Sequence, residues 1–98
     1  MRTLLKFTLP VEASNAAIKD GSLPKVLQSL LERLKPEAAY FFSDSGRRAG
    51  FIVFNLESQS DIPPTIEPLF SGLNASVELT PVMNADDLKA GLDKVMRG

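Results

Sequence analysis

The 98-residue chain contains no cysteine, no histidine and no tryptophan, and it has a single tyrosine. Without cysteine there is no disulfide, no thiolate metal site and no thiol nucleophile. Without histidine the chain lacks the commonest general base, the commonest metal ligand and the usual proximal haem ligand. A charge excess of either sign is also missing, because 11 basic residues face 12 acidic ones for a net charge of −1. Such a balance does not hold a phosphate backbone, and the only adjacent basic pair is Arg47-Arg48, so nucleic acid is not an expected partner. No stretch approaches the roughly 20 apolar residues that a membrane helix needs. The segment from Met1 to Phe7 lacks the apolar run and cleavage pattern of a signal peptide. The chain therefore reads as soluble and cytoplasmic, with no metal and no cofactor expected.

What remains is ordinary for a globular protein: 44% hydrophobic and 23% charged residues. The length suits one domain over residues 1–98. Its centre is Glu37 to Glu57, which reads as a β-hairpin. Two apolar runs, Ala38–Phe42 and Ala49–Leu56, flank Ser43-Asp44-Ser45-Gly46. Asp starts such turns through its carboxylate, and Gly supplies the positive φ that closes them. Taking Asp44-Ser45-Gly46 as the loop places Tyr40 opposite Gly50. Tyr40, Phe42, Ile52, Phe54 and Leu56 then share a face, and Phe41, Phe51, Val53 and Asn55 share the other. Both faces are apolar, so both need cover.

Arg2 to Leu9 alternates as a strand that Pro10 ends. A helical piece follows, with Ser14 or Asn15 as its cap and Gly21 as its end. Ser22 caps a second piece, with Pro24 in its first turn and an apolar stripe of Val26, Leu27, Leu30, Leu31 and Leu34. Pro36 stops it. Ile62 to Leu73 reads as a helix that tolerates Pro63 and Pro64 in its first turn, with Pro68 expected to kink or shorten it. Ser76 to Met83 alternates again, and Pro81 marks an edge strand. Asn84 caps a final helix, with Asp86 and Asp87 at its positive end and Lys94 and Arg97 at its negative end.

The order β-α-β-β-α-β plus a helix gives an α+β, ferredoxin-like domain with a four-stranded sheet ordered 4-1-3-2 and both main helices on one face. The other face stays open. The chain is too short to cover it, so a homodimer through the open sheet face is expected.

This order, the two-sided hairpin and the C-terminal helix resemble the dimeric α+β barrel superfamily. That superfamily includes monooxygenase-like, muconolactone-isomerase-like and stress-responsive proteins, whose two sheets pack face to face. Asn15-Ala16-Ala17-Ile18-Lys19-Asp20-Gly21, Pro36-Glu37-Ala38-Ala39-Tyr40-Phe41 and Pro81-Val82-Met83 are similar to stretches in a group of uncharacterised bacterial proteins within it. The resemblance implies a fold and a dimer but no agreed activity. Members that degrade haem ligate iron through histidine, and others use a histidine-acid pair. Neither device can exist here.

The candidate site residues are polar side chains that point off the sheet among apolar ones. Lys6 and Glu78 face each other on adjacent strands and, with Asn55, can line a pocket between two sheets. A carboxylate there can act as a base and a lysine can hold an anion. The simpler reading is a structural ion pair. Tyr40, beside Asn15 and Asp20, can place its hydroxyl in a cleft between helices and sheet, the simpler reading being a core tyrosine. Tyr40 and Glu78 are the catalytic candidates, and Lys6, Asn15, Asp20, Tyr40, Asn55 and Glu78 are the ligand-binding set. Arg47-Arg48 read as solvated hairpin residues or an anion clamp, and Glu67 as a solvated helix residue.

Two function classes follow. One is a small-molecule enzyme or binding protein, with cofactor-free proton transfer or oxygenation of an activated substrate as its chemistry. The other is a non-catalytic dimerisation or ligand-sensing module.

Overall fold

Alternation at the N-terminus produces strand β1 (Arg2–Thr8), in which Thr3, Leu5 and Phe7 are buried and the residues between them are partly exposed. The computed structural model describes residues 1–98 and continues through helices α1 (Val11–Lys19) and α2 (Ser22–Leu34) to the hairpin strands β2 (Ala38–Asp44) and β3 (Arg47–Asn55). Helix α3 (Ile62–Leu73), strand β4 (Ser76–Pro81) and helix α4 (Ala85–Arg97) complete the chain. All strand pairs are antiparallel, and the order β2-β3-β1-β4 is the expected 4-1-3-2 read from the other edge. The fold is α+β and fits the ferredoxin-like arrangement. No helix is long and apolar enough to cross a membrane.

One face of the sheet carries the core. Leu5, Phe7, Ile52 and Phe54 point from the two central strands and meet Leu30 of α2, Leu69 and Leu73 of α3 and Ala17 of α1. The apolar stripe read for α2 faces this layer, with Val26, Leu27, Leu31 and Leu34 packed around the core.

Two helix starts differ from expectation. Helix α1 begins at Val11 directly after Pro10, without a side-chain cap. Ser14, expected as a cap, lies inside the helix, and its hydroxyl donates to the Val11 carbonyl. The extended conformation of Pro10 already sets the chain entering the helix, so no capping side chain is needed to turn it. Between α1 and α2 the cap is Gly21, at φ 80°, and the Ser22 amide is satisfied by the Asp20 carboxylate at 2.8 Å. Within α3, Pro68 neither ends nor shortens the helix. Proline at that position removes the amide that would reach the Pro64 carbonyl. The Arg33 guanidinium of α2 donates to that carbonyl instead.

The hairpin register also differs, by one residue on β2. The turn is Ser45-Gly46 alone, with φ of 52° and 79°, the paired positive values of a type I′ turn. Asp44 is the last strand residue and pairs with Arg47, so Tyr40 pairs with Phe51 and Phe41 with Gly50. A one-residue slip moves every side chain of a strand to the other face. Tyr40 and Phe42 therefore lie on the open face, and Phe41 on the helix side. Phe41, not Tyr40, covers the strand glycine and meets Phe7 at a 6.4 Å ring separation.

Helix α4 stands apart. It buries no residue, and the ion pair of Arg2 with Asp87 ties it to the other elements. The Cα radius of gyration is 15.7 Å, against about 13 Å for a compact domain of this length, and the long axis reaches 55 Å.

Gly50 has no room for a side chain. A Cβ there would lie 2.7 Å from Cζ of Phe7, whose buried ring cannot withdraw, and 2.9 Å from Cδ1 of Phe41. Gly50→Ala should therefore cost about 1–3 kcal/mol, the scale of core overpacking. Urea unfolding measures it, and a loss within the scatter of neutral surface changes would contradict this packing.

Candidate functional site

The face left open by the helices is built by register alone. Strand β1 presents Leu4, Lys6 and Thr8, and β3 presents Phe51, Val53 and Asn55. Strand β2 adds Ala38, Tyr40, Phe42 and Asp44, and β4 adds Ser76, Glu78 and Thr80. At its centre Phe51 is flanked by Tyr40 and Phe42, with ring centroids 5.5 and 5.7 Å away in tilted geometry. These separations are favourable for aromatic pairs. Tyr40 nevertheless remains 61% exposed and Phe42 38% exposed. Large contiguous apolar patches left exposed generally mark interaction surfaces.

Polar groups close this patch at one end. Lys6 Nζ reaches Asp44 Oδ2 at 2.9 Å. Glu78 is directly opposite Lys6 in the ladder, as expected, and adds to the field that favours the lysine's charge. The ion pair itself goes to Asp44, which the expected three-residue turn had placed in the loop. Lys6, Thr8, Asp44, Arg47, Ser76 and Glu78 line a concavity of about 400 Å³ here. The hydrogen bond and charge of Lys6 hold the Asp44 carboxyl below its usual range, and the same contact raises the Lys6 ammonium.

At the opposite end Arg2 donates to Glu37 at 2.6 Å and also to Asp87, joining β1, the start of β2 and α4. Asn55 accepts the Met1 amino group at 2.6 Å. These residues border a second concavity, of about 670 Å³, with Pro81, Val82 and Met83.

The other site candidates lie elsewhere. Asn15 and Ser14 accept from the Arg48 guanidinium, at 2.9 and 2.7 Å, on the helix side of the hairpin. Asp20 binds Ser22, and that contact holds its carboxyl below the usual range. Tyr40 is beside neither, so the expected Tyr40–Asn15–Asp20 cleft does not form. The register slip is the reason. Arg47 and Arg48 are consecutive on a strand and point to opposite faces, so they do not make a joint anion clamp. Glu67 is exposed on α3. Sequence reasoning missed Asp44 as the partner of Lys6, although the Ser-Gly dipeptide is itself a two-residue turn signal.

The chain matches no protein-family profile, and it matches no curated protein. The candidate site therefore rests on its geometry. Tyr40 and Glu78 sit on opposite edge strands, three strand spacings or about 14 Å apart. Within one protomer they serve two ends of a surface, not one reacting centre.

The Lys6–Asp44 pair gives a pH signature. Asp44, with its value lowered by folding, adds stability that is complete above about pH 4, the unfolded value, and is lost as pH falls through the folded one. Lys6, with its value raised, adds stability that is complete below about pH 10 and is lost as pH rises through the folded value. In an NMR titration of carboxyl carbons Asp44 should have a midpoint below that of an ordinary aspartate. Lys6→Met should move the midpoint up, and an unchanged midpoint would show that the pair does not form in solution.

Proposed function

We propose that this chain is a homodimerising domain of the dimeric α+β barrel type. Its open sheet faces meet and enclose a small organic molecule between them. The observation that carries the reading is the uncovered Tyr40–Phe51–Phe42 cluster beside the Lys6–Asp44–Glu78 concavity on one sheet face. A second sheet laid on that face removes the aromatic rings from water and roofs the concavity. The resulting space has aromatic walls and few polar groups, which is the usual character of a ligand pocket. Its occupant has an apolar or aromatic body and a polar end that meets Lys6 and Glu78.

Glu78 is the carboxylate of this wall without an ion pair or hydrogen bond inside the chain, so it is free to meet a ligand. The chemistry open to such a pocket is cofactor-free proton transfer or oxygenation of an activated substrate, with Glu78 as the base. Tyr40 reaches the same pocket from the partner sheet or stacks on the ligand.

A second reading, a dimerisation module without a ligand, has its own support. Lys6 is satisfied by Asp44, Asn55 by the Met1 amine, Asn15 by Arg48 and Asp20 by Ser22. No buried side-chain polar atom lacks a partner.

Multi-angle light scattering should give twice the chain mass at micromolar concentration, and Phe51→Glu should give a monomer or an unfolded chain. A wild-type monomer would overturn the dimer. Anilinonaphthalene sulfonate, an aromatic anion, separates the two readings. Saturable binding weakened by Lys6→Met, with the melting temperature nearly unchanged, supports an enclosed pocket. A dimer that does not bind it supports the module.

A further inference from the structure

The helix layer carries a groove on the side away from the sheet. The last turn of α2 meets the first turn of α3 where Arg33 donates to the Pro64 carbonyl. The first turns of α2 meet the end of α3 where Val26 faces Gly72, at which an added Cβ would lie 3.5 Å from Val26 Cγ2. The two helices therefore run antiparallel and touch near both ends. Between these contacts a space of about 320 Å³ stays open. The side chains at its walls are too short or too rigid to fill it: Ser29 on α2, and the rings of Pro64 and Pro68 on α3. Its floor is the core itself, through Leu30 and Leu69, which are 5% and 0% exposed.

The charge around this groove has one sign. Lys25, Ser29 and Arg33 follow one another at four-residue spacing, so they form a single row along α2. No carboxylate lines the groove. Neither Lys25 nor Arg33 joins an ion pair. Of the acidic residues on these two helices, Glu32 accepts from Gln28, and Glu67 is exposed beside Pro68 but outside the groove lining. A guanidinium has five N–H donors, so the bond that holds Arg33 at the Pro64 carbonyl leaves others for a ligand. That bond also keeps Arg33 at its own end of the groove. Eight residues of helix set Lys25 and Arg33 about 12 Å apart, with an apolar floor between them.

We infer that the α2–α3 groove binds a linear dicarboxylate. Its apolar chain lies along Leu30 and Leu69, one carboxylate meets Lys25, and the other meets Arg33 beside the Ser29 row. A ligand with one charge leaves one of the two cations unmet. The groove is on the far side of the sheet from the Tyr40–Phe51–Phe42 cluster, so it stays open to solvent whether or not two sheets meet.

Decanedioate, whose extended chain matches the span between the cations, is the probe, and amide shifts in heteronuclear NMR report where it binds. Saturable shifts should fall on α2 and α3. Decanoate, which lacks the second carboxylate, should bind about fivefold more weakly, the upper end for an exposed ion pair. Butanedioate, too short to reach both cations, should also bind more weakly. Lys25→Met should reduce the affinity for decanedioate to that for decanoate, at an unchanged melting temperature because Lys25 has no ion pair to lose. Ser29→Leu should fill the groove and abolish binding of both. Shifts on the open sheet face instead of the helices, equal affinity for decanedioate and decanoate, or binding that survives Ser29→Leu would overturn the assignment.

Discussion

The structure depends on β3 being apolar on both sides. Ile52 and Phe54 enter the core beneath the helices, while Phe51 and Val53, between and beside them, point to the open face. A strand with this pattern cannot be satisfied by one layer of helices. Three helices cover one side, and the fourth, which might have covered the other, leads away from the sheet instead. The aromatic cluster, the polar concavity at its edge and the stranded α4 all follow from this unfilled requirement.

Magnitudes indicate how the requirement is met. Burying a large apolar side chain contributes about 1.5–3 kcal/mol, and the three aromatic residues of the open face are already partly covered by one another. What they have left to gain is a few kcal/mol per protomer, while association costs about 4–15 kcal/mol in lost freedom. A sheet face of this size is therefore a marginal interface on its own. The apolar stripe of α4 leaves further area of the same kind exposed.

Much of the fold was legible in the sequence because it rests on signals that tertiary context seldom reverses. The alternation of β1, the stripe of α2, the breaks at Gly21 and Pro36 and the edge position implied by Pro81 all appear as read. The open face was legible too, but not its occupants. Asp44 and Gly46 are both turn formers, and a loop of two residues and one of three are equally consistent with their spacing. Only the backbone, with Ser45 itself at positive φ, chooses between them. That choice exchanges Tyr40 and Phe42 for Phe41 on the open face. It also gives Lys6 a partner on a strand two places away. The Arg33 contact to the Pro64 carbonyl and the Arg48 contacts to Ser14 and Asn15 join residues more than 30 positions apart, and no local pattern announces them.

The most direct measurement uses the single tyrosine of a chain without tryptophan. Tyr40 is the only strong fluorophore, and its ring packs against Phe51 on the face that a second copy would cover. Its emission, followed by acrylamide quenching across a dilution series, reports that cover alone. The account predicts that quenching becomes weaker as protein concentration rises, in step with the doubling of mass. Quenching that stays that of an exposed tyrosine while the mass doubles would contradict it.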